Sequence, residues 1–422
     1  MDRRRFHEFL AVAVVLGVLV GLTATGFRVV WLLVKHELWG TLTETYWRVV
    51  VSVVAGGLIG LILSRTFYPG ALSALIAQFH DEGAVPIEDN VPTLPVGLLG
   101  LVAGQQAGPE GVMSVVGGSF GTWVADRFGV VGSRKLLTLA GMGAGFGTIL
   151  GAPIGGALLW LELPHQRGLE YYEALVPTFV ASFAGYLTEA GLGRLVVRWR
   201  PELRTGPFGL FPSWHVTAVG PLTLHHLAVA VGLGVLVVPV AAFYVETFDV
   251  VGALLDRADP PLPARTTLAG LGIGLLGWVL PLSYFYGASK MPTLLAGDRT
   301  PLVLVATLLA CMIAAGLTIK GGWLGGLIVP HMFMGAIVGK IAALLVPGVG
   351  PVVAMLAAMA AFNAVVTGTP LSSALIAISL TDGAAIVPVF LASIAGFVAS
   401  PYVEFLETAA TRHEQPNFHL DD

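Results

Sequence analysis

Charge is what this sequence has least of. Only 11% of its 422 residues are charged, against 55% apolar, and the mean hydropathy is +0.83. A soluble domain carries roughly a quarter charged residues, so this chain cannot cover a water-facing surface. One cysteine, Cys311, excludes a disulfide framework and any multi-cysteine metal site. A net charge of -4 leaves no basic field, which excludes a nucleic-acid partner. Glycine is abundant at 54 residues, yet no G-X-Y period or low-complexity tract accompanies it, so collagen and disorder are out. What is left is an all-α polytopic membrane protein with no cofactor implied.

A spanning helix needs about 20 apolar residues, and charge at the bilayer centre is costly. Charge-free windows therefore mark the expected spans: 9–27, 49–64, 205–245, 266–289, 301–319, 341–381 and 383–403. Residues 136–161 and the run either side of Glu110 add long segments heavily broken by Gly and Pro, and 174–187 is another apolar segment. The start, MDRRRFHEF, imitates a signal peptide. The many later spans favour an uncleaved first span, with Arg3, Arg4 and Arg5 holding the N-terminus in the cytoplasm. Polar breaks at 81–90, 194–204 and 256–265 read as loops. The expected organisation is a first transmembrane repeat over 1–200, a second over 201–405, and a short cytoplasmic tail over 406–422.

The repeat is visible in the residues. GAPIGGALLWLEL at 151–163 and GTPLSSALIAISL at 368–380 share a G-x-P-[IL]-x-x-A-L-[LI]-x-[LI]-x-L pattern, about 217 positions apart. Gly117, Gly121 and Ala125 recur as Gly335, Gly339 and Ala343, and GPEGV (108–112) aligns with GLIVP (326–330). Shared helix-packing chemistry would reproduce the glycines, but not the order and offset. Apolar stretches broken by Gly or Pro at matching places in two halves indicate discontinuous helices of an inverted-repeat transporter. Their N-termini carry unpaired N–H groups and a partial positive charge, so two of them meeting at mid-membrane hold an anion without Lys or Arg.

Glu110 is the only charge between Asp89 and Asp126. Placed by Pro109 and two glycines at a helix start, its carboxylate sits where an anion would otherwise sit. It reads as a tethered competitor that plugs the site when charged and opens it when neutral. The bland alternative is a capping Glu in a surface loop.

GPEGV, GLIVP and a tyrosine in the last helix resemble the CLC superfamily of chloride channels and anion/proton exchangers, over nearly the whole chain. The resemblance implies that Glu110 is the gating, proton-accepting glutamate. It places the anion among Gly108, Pro109, Gly111, Val112, Leu327, Ile328, Val329 and Tyr402. It also implies a homodimer in the lipid bilayer with one pathway per subunit, a small inorganic anion (chloride first, fluoride second) as substrate, and protons as gate ligand or co-substrate. The family's first motif would fall at Phe67–Ser73, where Pro69 stands in place of its serine and Gly70 and Ser73 are the remaining contacts. Ile328 replaces an aromatic. Leu163 stands at the inner proton-transfer glutamate, beside Glu162, which favours a passive channel over a proton-coupled antiporter; His165, Glu170 or Glu173 are alternative proton carriers.

Other signals weigh less. Gly117-Gly-Ser-Phe-Gly121 fits a nucleophile elbow, but its counterpart has Ile337 in place of Ser119, so an intramembrane hydrolase is disfavoured. His225 and His226 have no ligand set with metal spacing around them. Lys320 and Lys340 flank the second broken helix and either snorkel to an interface or draw anions inward.

Overall fold

The computed structural model describes residues 3–70, 72–128, 134–164, 174–205, 210, 214, 222–346, 348–383, 385–400, 403 and 405. Among these residues there are sixteen α-helices and no strand. The first half contains α1 (Arg3–Thr41), α2 (Trp47–Arg65), α3 (Leu72–Glu82), α4 (Asn90–Val102), α5 (Glu110–Phe128), α6 (Arg134–Leu150), α7 (Pro153–Glu162) and α8 (Leu175–Trp199). The second contains α9 (Leu224–Ala258), α10 (Leu262–Val279), α11 (Met291–Ala296), α12 (Pro301–Lys320), α13 (Ile328–Leu345), α14 (Pro351–Thr367), α15 (Pro370–Leu380) and α16 (Ile386–Ala399). Helices α1, α2, α9, α12 and α13 are long and apolar enough to cross a membrane. Others, such as α14, α15 and α16, are shorter apolar pieces. This is an all-α polytopic membrane fold.

Helix α1 runs on well past the charge-free window that ends at Phe27. Arg28 is 2% exposed and points into protein, where its Nε donates to Glu189 Oε1 of α8 at 2.5 Å and a terminal nitrogen donates to Ile149 O. The charge is paired across the bundle instead of meeting lipid, so the helix continues.

The repeated glycines have a common job. A Cβ on Gly117 would lie 2.0 Å from Gly141 O of α6, and one on Gly121 would lie 2.0 Å from Leu137 O. In the second half, Gly335 and Gly339 stand in the same relation to Ala358 O and Ala354 O of α14, at 2.4 and 2.3 Å. Each broken helix thus lies backbone to backbone on the helix that follows it, as small residues in membrane interfaces allow. Gly141→Val is expected to force α5 and α6 apart and destabilise the fold by about 1–3 kcal/mol or more. A thermal melt in detergent measures this, and an unchanged midpoint would show that the two backbones are not in contact.

The faces can be ordered from the packing. Helices α1 and α2 are joined by the short segment 42–46, so α1 ends and α2 begins at one face, here the far face. Helix α10 lies antiparallel to α2, with Gly60 against Pro263, Gly56 against Thr266 and Gly274 against Val49. The start of α10 therefore shares the near face with the end of α2, and the loop after α10 lies at the far face.

Candidate functional site: a glutamate between two vestibules

Helices α4 and α12 stop inside the protein, and each is followed by irregular backbone leading to the start of α5 and α13. Irregular backbone persists at membrane depth only where protein buries it or it lines a cavity. Here the two segments satisfy each other. Gly108 N–H donates to Gly326 O at 2.7 Å, and Gly326 N–H donates to Gly108 O at 2.9 Å, an antiparallel bridge between aligned positions of the two repeats. A Cβ on Gly111 would come 2.6 Å from the carbonyl carbon of Gly325, so the approach needs glycine.

Beyond that bridge the helix starts leave amides free. The first amide of the α5 region to find a helical carbonyl is Met113, on Pro109 O at 3.0 Å; in α13 it is His331, on Leu327 O at 2.8 Å. The N–H groups of Gly111, Val112, Ile328 and Val329 precede those bonds, and Pro109 and Pro330 have none to offer. Gly108 spends its N–H on Gly326, so its part is to shape the backbone and not to donate to an anion.

Glu110 occupies this convergence. It is 0% exposed, and its Oε1 accepts from Val329 N–H at 3.3 Å. Its other oxygen has no partner. Gly108 and Gly326 make the room: a Cβ on Gly108 would stand 2.0 Å from Oε2, and one on Gly326 would stand 2.4 Å from Cγ. The acid that opens one half's helix therefore rests on the N-terminus of the other half's helix. The surface-loop alternative does not hold.

Open space approaches from both sides. The near vestibule, about 570 Å³, is lined by Ser73, Arg265, Lys320, Gly325, Leu327 and Phe405. A smaller cavity of about 30 Å³ continues inward and brings Pro69 and Gly70 against Gly111 and Val112. The segment at Phe67–Ser73 and the α5 start thus line one cavity. The far vestibule, about 620 Å³, is lined by Arg28, Trp31, Lys35, Trp39, Trp214 and Tyr286, among others. Tyr286 is within electrostatic reach of both Arg28 and Glu110. Glu110 itself is fully buried and lines neither opening.

Ile328 and Val329 are buried, and Leu327 lines the near vestibule. Lys320 lines it too, with Nζ 3.6 Å from Asp249 Oδ1, whereas Lys340 donates to Leu295 O at 2.9 Å and lines neither vestibule. Tyr402, His165, Glu170 and Glu173 lie outside the described residues. Leu163 is buried and apolar. Its neighbour Glu162 caps α15, accepting from Leu371 N–H at 3.1 Å, Ser372 N–H at 2.8 Å and Ser372 Oγ at 2.5 Å. Ser119 is buried and donates to Val116 O. His225 bonds Gly348 O and His226 bonds Thr223, and among the described residues no group of His, Cys, Asp and Glu could hold a metal.

Sequence reasoning missed Arg28, Lys35, Arg265 and Tyr286. The aromatic run Ser283-Tyr-Phe-Tyr-Gly287 at the end of an apolar window was the available signal. Its backbone is stitched to the segment entering α5, with Phe285 N–H on Gly104 O at 3.0 Å.

Opposed helix starts, a competing carboxylate and a vestibule on either side define a membrane protein built to pass anions. Residues 73–400 match the voltage-gated chloride channel family, and the chain belongs to that family. A chloride/fluoride channel protein of Pseudomonas syringae pv. tomato is 24% identical over 386 residues, which is 88% of this chain and 80% of that one. An uncharacterised protein of Methanocaldococcus jannaschii is 25% identical over 241 residues, 57% of each chain, so the match spans a little over half of that relative. Among solved structures, a CLC-type fluoride/proton antiporter superposes with a TM-score of 0.82 at 19% identity, covering 97% of this chain and 100% of its own. A slow cyanobacterial chloride/proton antiporter gives 0.78 at 22% identity, covering 95% of both.

Proposed function

We propose that this protein is a proton-coupled antiporter of a small halide, fluoride or chloride, in which Glu110 both gates the anion and carries the proton. The observation that carries the reading is the carboxylate of Glu110 resting, fully buried, on the Val329 amide. An anion and this carboxylate cannot hold the same N–H groups together. Either an anion displaces the carboxylate, or a proton neutralises it and weakens its hold on the helix start. Occupancy by one ion thereby alternates with the other, which is the requirement for exchange. A passive channel needs an open connection, and the fully buried gate supports exchange over that reading. The fold neighbours are antiporters by name, which points the same way.

With Leu163 at the inner position, the proton has no second acid in the place where the resemblance implies one. Glu110 itself then faces each vestibule in turn. The reciprocal Gly108–Gly326 bridge supports an inverted relation between the halves, since equivalent residues pair antiparallel across it. Arg3, Arg4 and Arg5 favour the near face as cytoplasmic, and a homodimer with one pathway per subunit is the expected assembly.

The test is reconstitution in liposomes with an imposed fluoride or chloride gradient, following anion efflux and internal pH together. Proton movement against its own gradient, driven by the anion, is the expected result. Anion efflux with pH change that only follows the membrane voltage would establish the passive channel instead.

A further inference from the structure

The small cavity beside the α5 start holds an acid for which the anion pathway has no use. Gly111, Val112, Val115, Gln78, Thr93 and Asp89 are among its walls, and Asp89 is the only charged residue in the lining. It is 7% exposed, and among the described residues no cation stands within ion-pair distance of it. A buried carboxyl with no cation beside it is costly to keep ionised. Asp89 directly precedes α4, where an aspartate ordinarily caps the helix. Its side chain makes no such bond; only its main-chain carbonyl is used there, by Thr93 Oγ1.

The cavity brings this acid close to Glu110. Its inner end is walled by Gly111, next to Glu110 in sequence, and by Gly325, next to the Gly326 that makes room for the Glu110 side chain. Its outer end lies where the start of α4 is pinned to α5: Asn90 Nδ2 donates to Ser119 Oγ at 2.7 Å and Val85 N–H donates to Thr122 Oγ1 at 2.9 Å. Val115 faces the cavity between these levels, five residues and about 7.5 Å of helix rise from Glu110. The volume, about 30 Å³, matches one water in the liquid. Gly70, Leu72 and Gly325 also line the near vestibule, so Asp89 lies on the near side of the gate. Few charges surround it. Glu88 beside it and Glu82 at the end of α3 are exposed and act on it with like charge. His80 of α3 is turned to Pro164 O at 2.9 Å, and Lys135 Nζ of α6 lies 5.5 Å from the Phe79 ring centroid. Helix α4 carries no charge, and on α5 none follows Glu110 until Asp126. In the near vestibule Arg265 holds Asp256 at 2.7 Å and Lys320 holds Asp249 at 3.6 Å.

We propose that Asp89 is a proton-binding site linked to the anion, and that it loads Glu110 from the near side. The proton leaves an Asp89 carboxyl oxygen, crosses by a water in the cavity, and ends on the Glu110 carboxylate when that side chain turns to the near side. Asp89, now ionised, takes its next proton from water at the exposed edge formed by Glu82 and Glu88. An acid here supplies what Leu163 lacks. The relay rests on the transport reading given above; the proton site itself does not.

Two measurements on the full-length protein test this. The first is an infrared pH titration, in detergent, of Glu110→Gln, which lacks the Glu110 carboxyl. A buried carboxyl is expected to titrate in this protein and to be missing from Glu110→Gln/Asp89→Asn. Saturating sodium fluoride or chloride should raise its proton affinity about threefold or more, because an anion in the cavity disfavours the ionised form. If no carboxyl is lost with Asp89, or if the one lost ignores both halides, the site is overturned. The second is the liposome assay of anion efflux and internal pH. Protons moved per anion should fall about tenfold or more in Asp89→Asn, a low figure for the loss of a positioned acid, and Asp89→Glu should recover most of the ratio. An unchanged ratio in Asp89→Asn, or a loss that Asp89→Glu does not recover, would overturn the relay. A parent protein that moves no protons would overturn the transport reading and the relay with it, and the infrared titration would still decide the proton site.

Discussion

Glu110→Gln is expected to abolish proton coupling while leaving anion flux present or increased. Glutamine keeps the shape of the side chain but cannot gain or lose the proton, so the side chain no longer changes its hold on the α13 amides with pH. In the unaltered protein, acidification favours the neutral carboxyl, which lets go of the helix start more readily; anion flux should therefore rise as pH falls. In the variant the flux should be flat with pH, and anion-driven proton movement should fall to that of protein-free liposomes. Paired recordings of anion efflux and internal pH give both readouts. If the variant keeps the pH response of the parent, another group gates the pathway, and the burial of Glu110 against Val329 is structural only.

The second large effect is on stability. Arg28→Met removes the partner of Glu189, a carboxylate 1% exposed with one oxygen already unpartnered. Breaking one side of a buried ion pair costs about 3–5 kcal/mol, because the remaining charge has no water and no partner. The double variant Arg28→Met/Glu189→Met should recover most of that loss, since apolar residues of similar volume often replace a buried pair without penalty. Denaturation midpoints of the parent, both single variants and the double variant complete the cycle. A single variant as stable as the parent would mean that water reaches the pair.

The same pair explains where reading the sequence by charge-free windows falls short. Windows are cut at every charge, which is sound for a side chain facing lipid. Arg28 and Glu189 face each other instead, so α1 and α8 extend through positions that the windows treat as boundaries. The window 301–319 has no such partner inside it and matches α12 almost to the residue. Glu110 was legible for the opposite reason: a lone acid among apolar neighbours, framed by Pro and Gly, has few places to go. The far vestibule could not be read in advance. Lys35 and Tyr286 are about 250 positions apart, and neither belongs to a repeated pattern. Only the folding of the segment after α10 onto the one before α5 brings them to the same opening.

The Gly108–Gly326 pairing has a consequence for how the molecule must be assembled. Each glycine supplies the other's main-chain donor and acceptor, so a severed half would leave two such groups bare in hydrocarbon, where nothing replaces them. The clasp makes the conduction centre common property: lengthening either connecting segment by one residue would drag the tip of the opposite helix with it, and two separately made fragments would regain a working centre only by docking together.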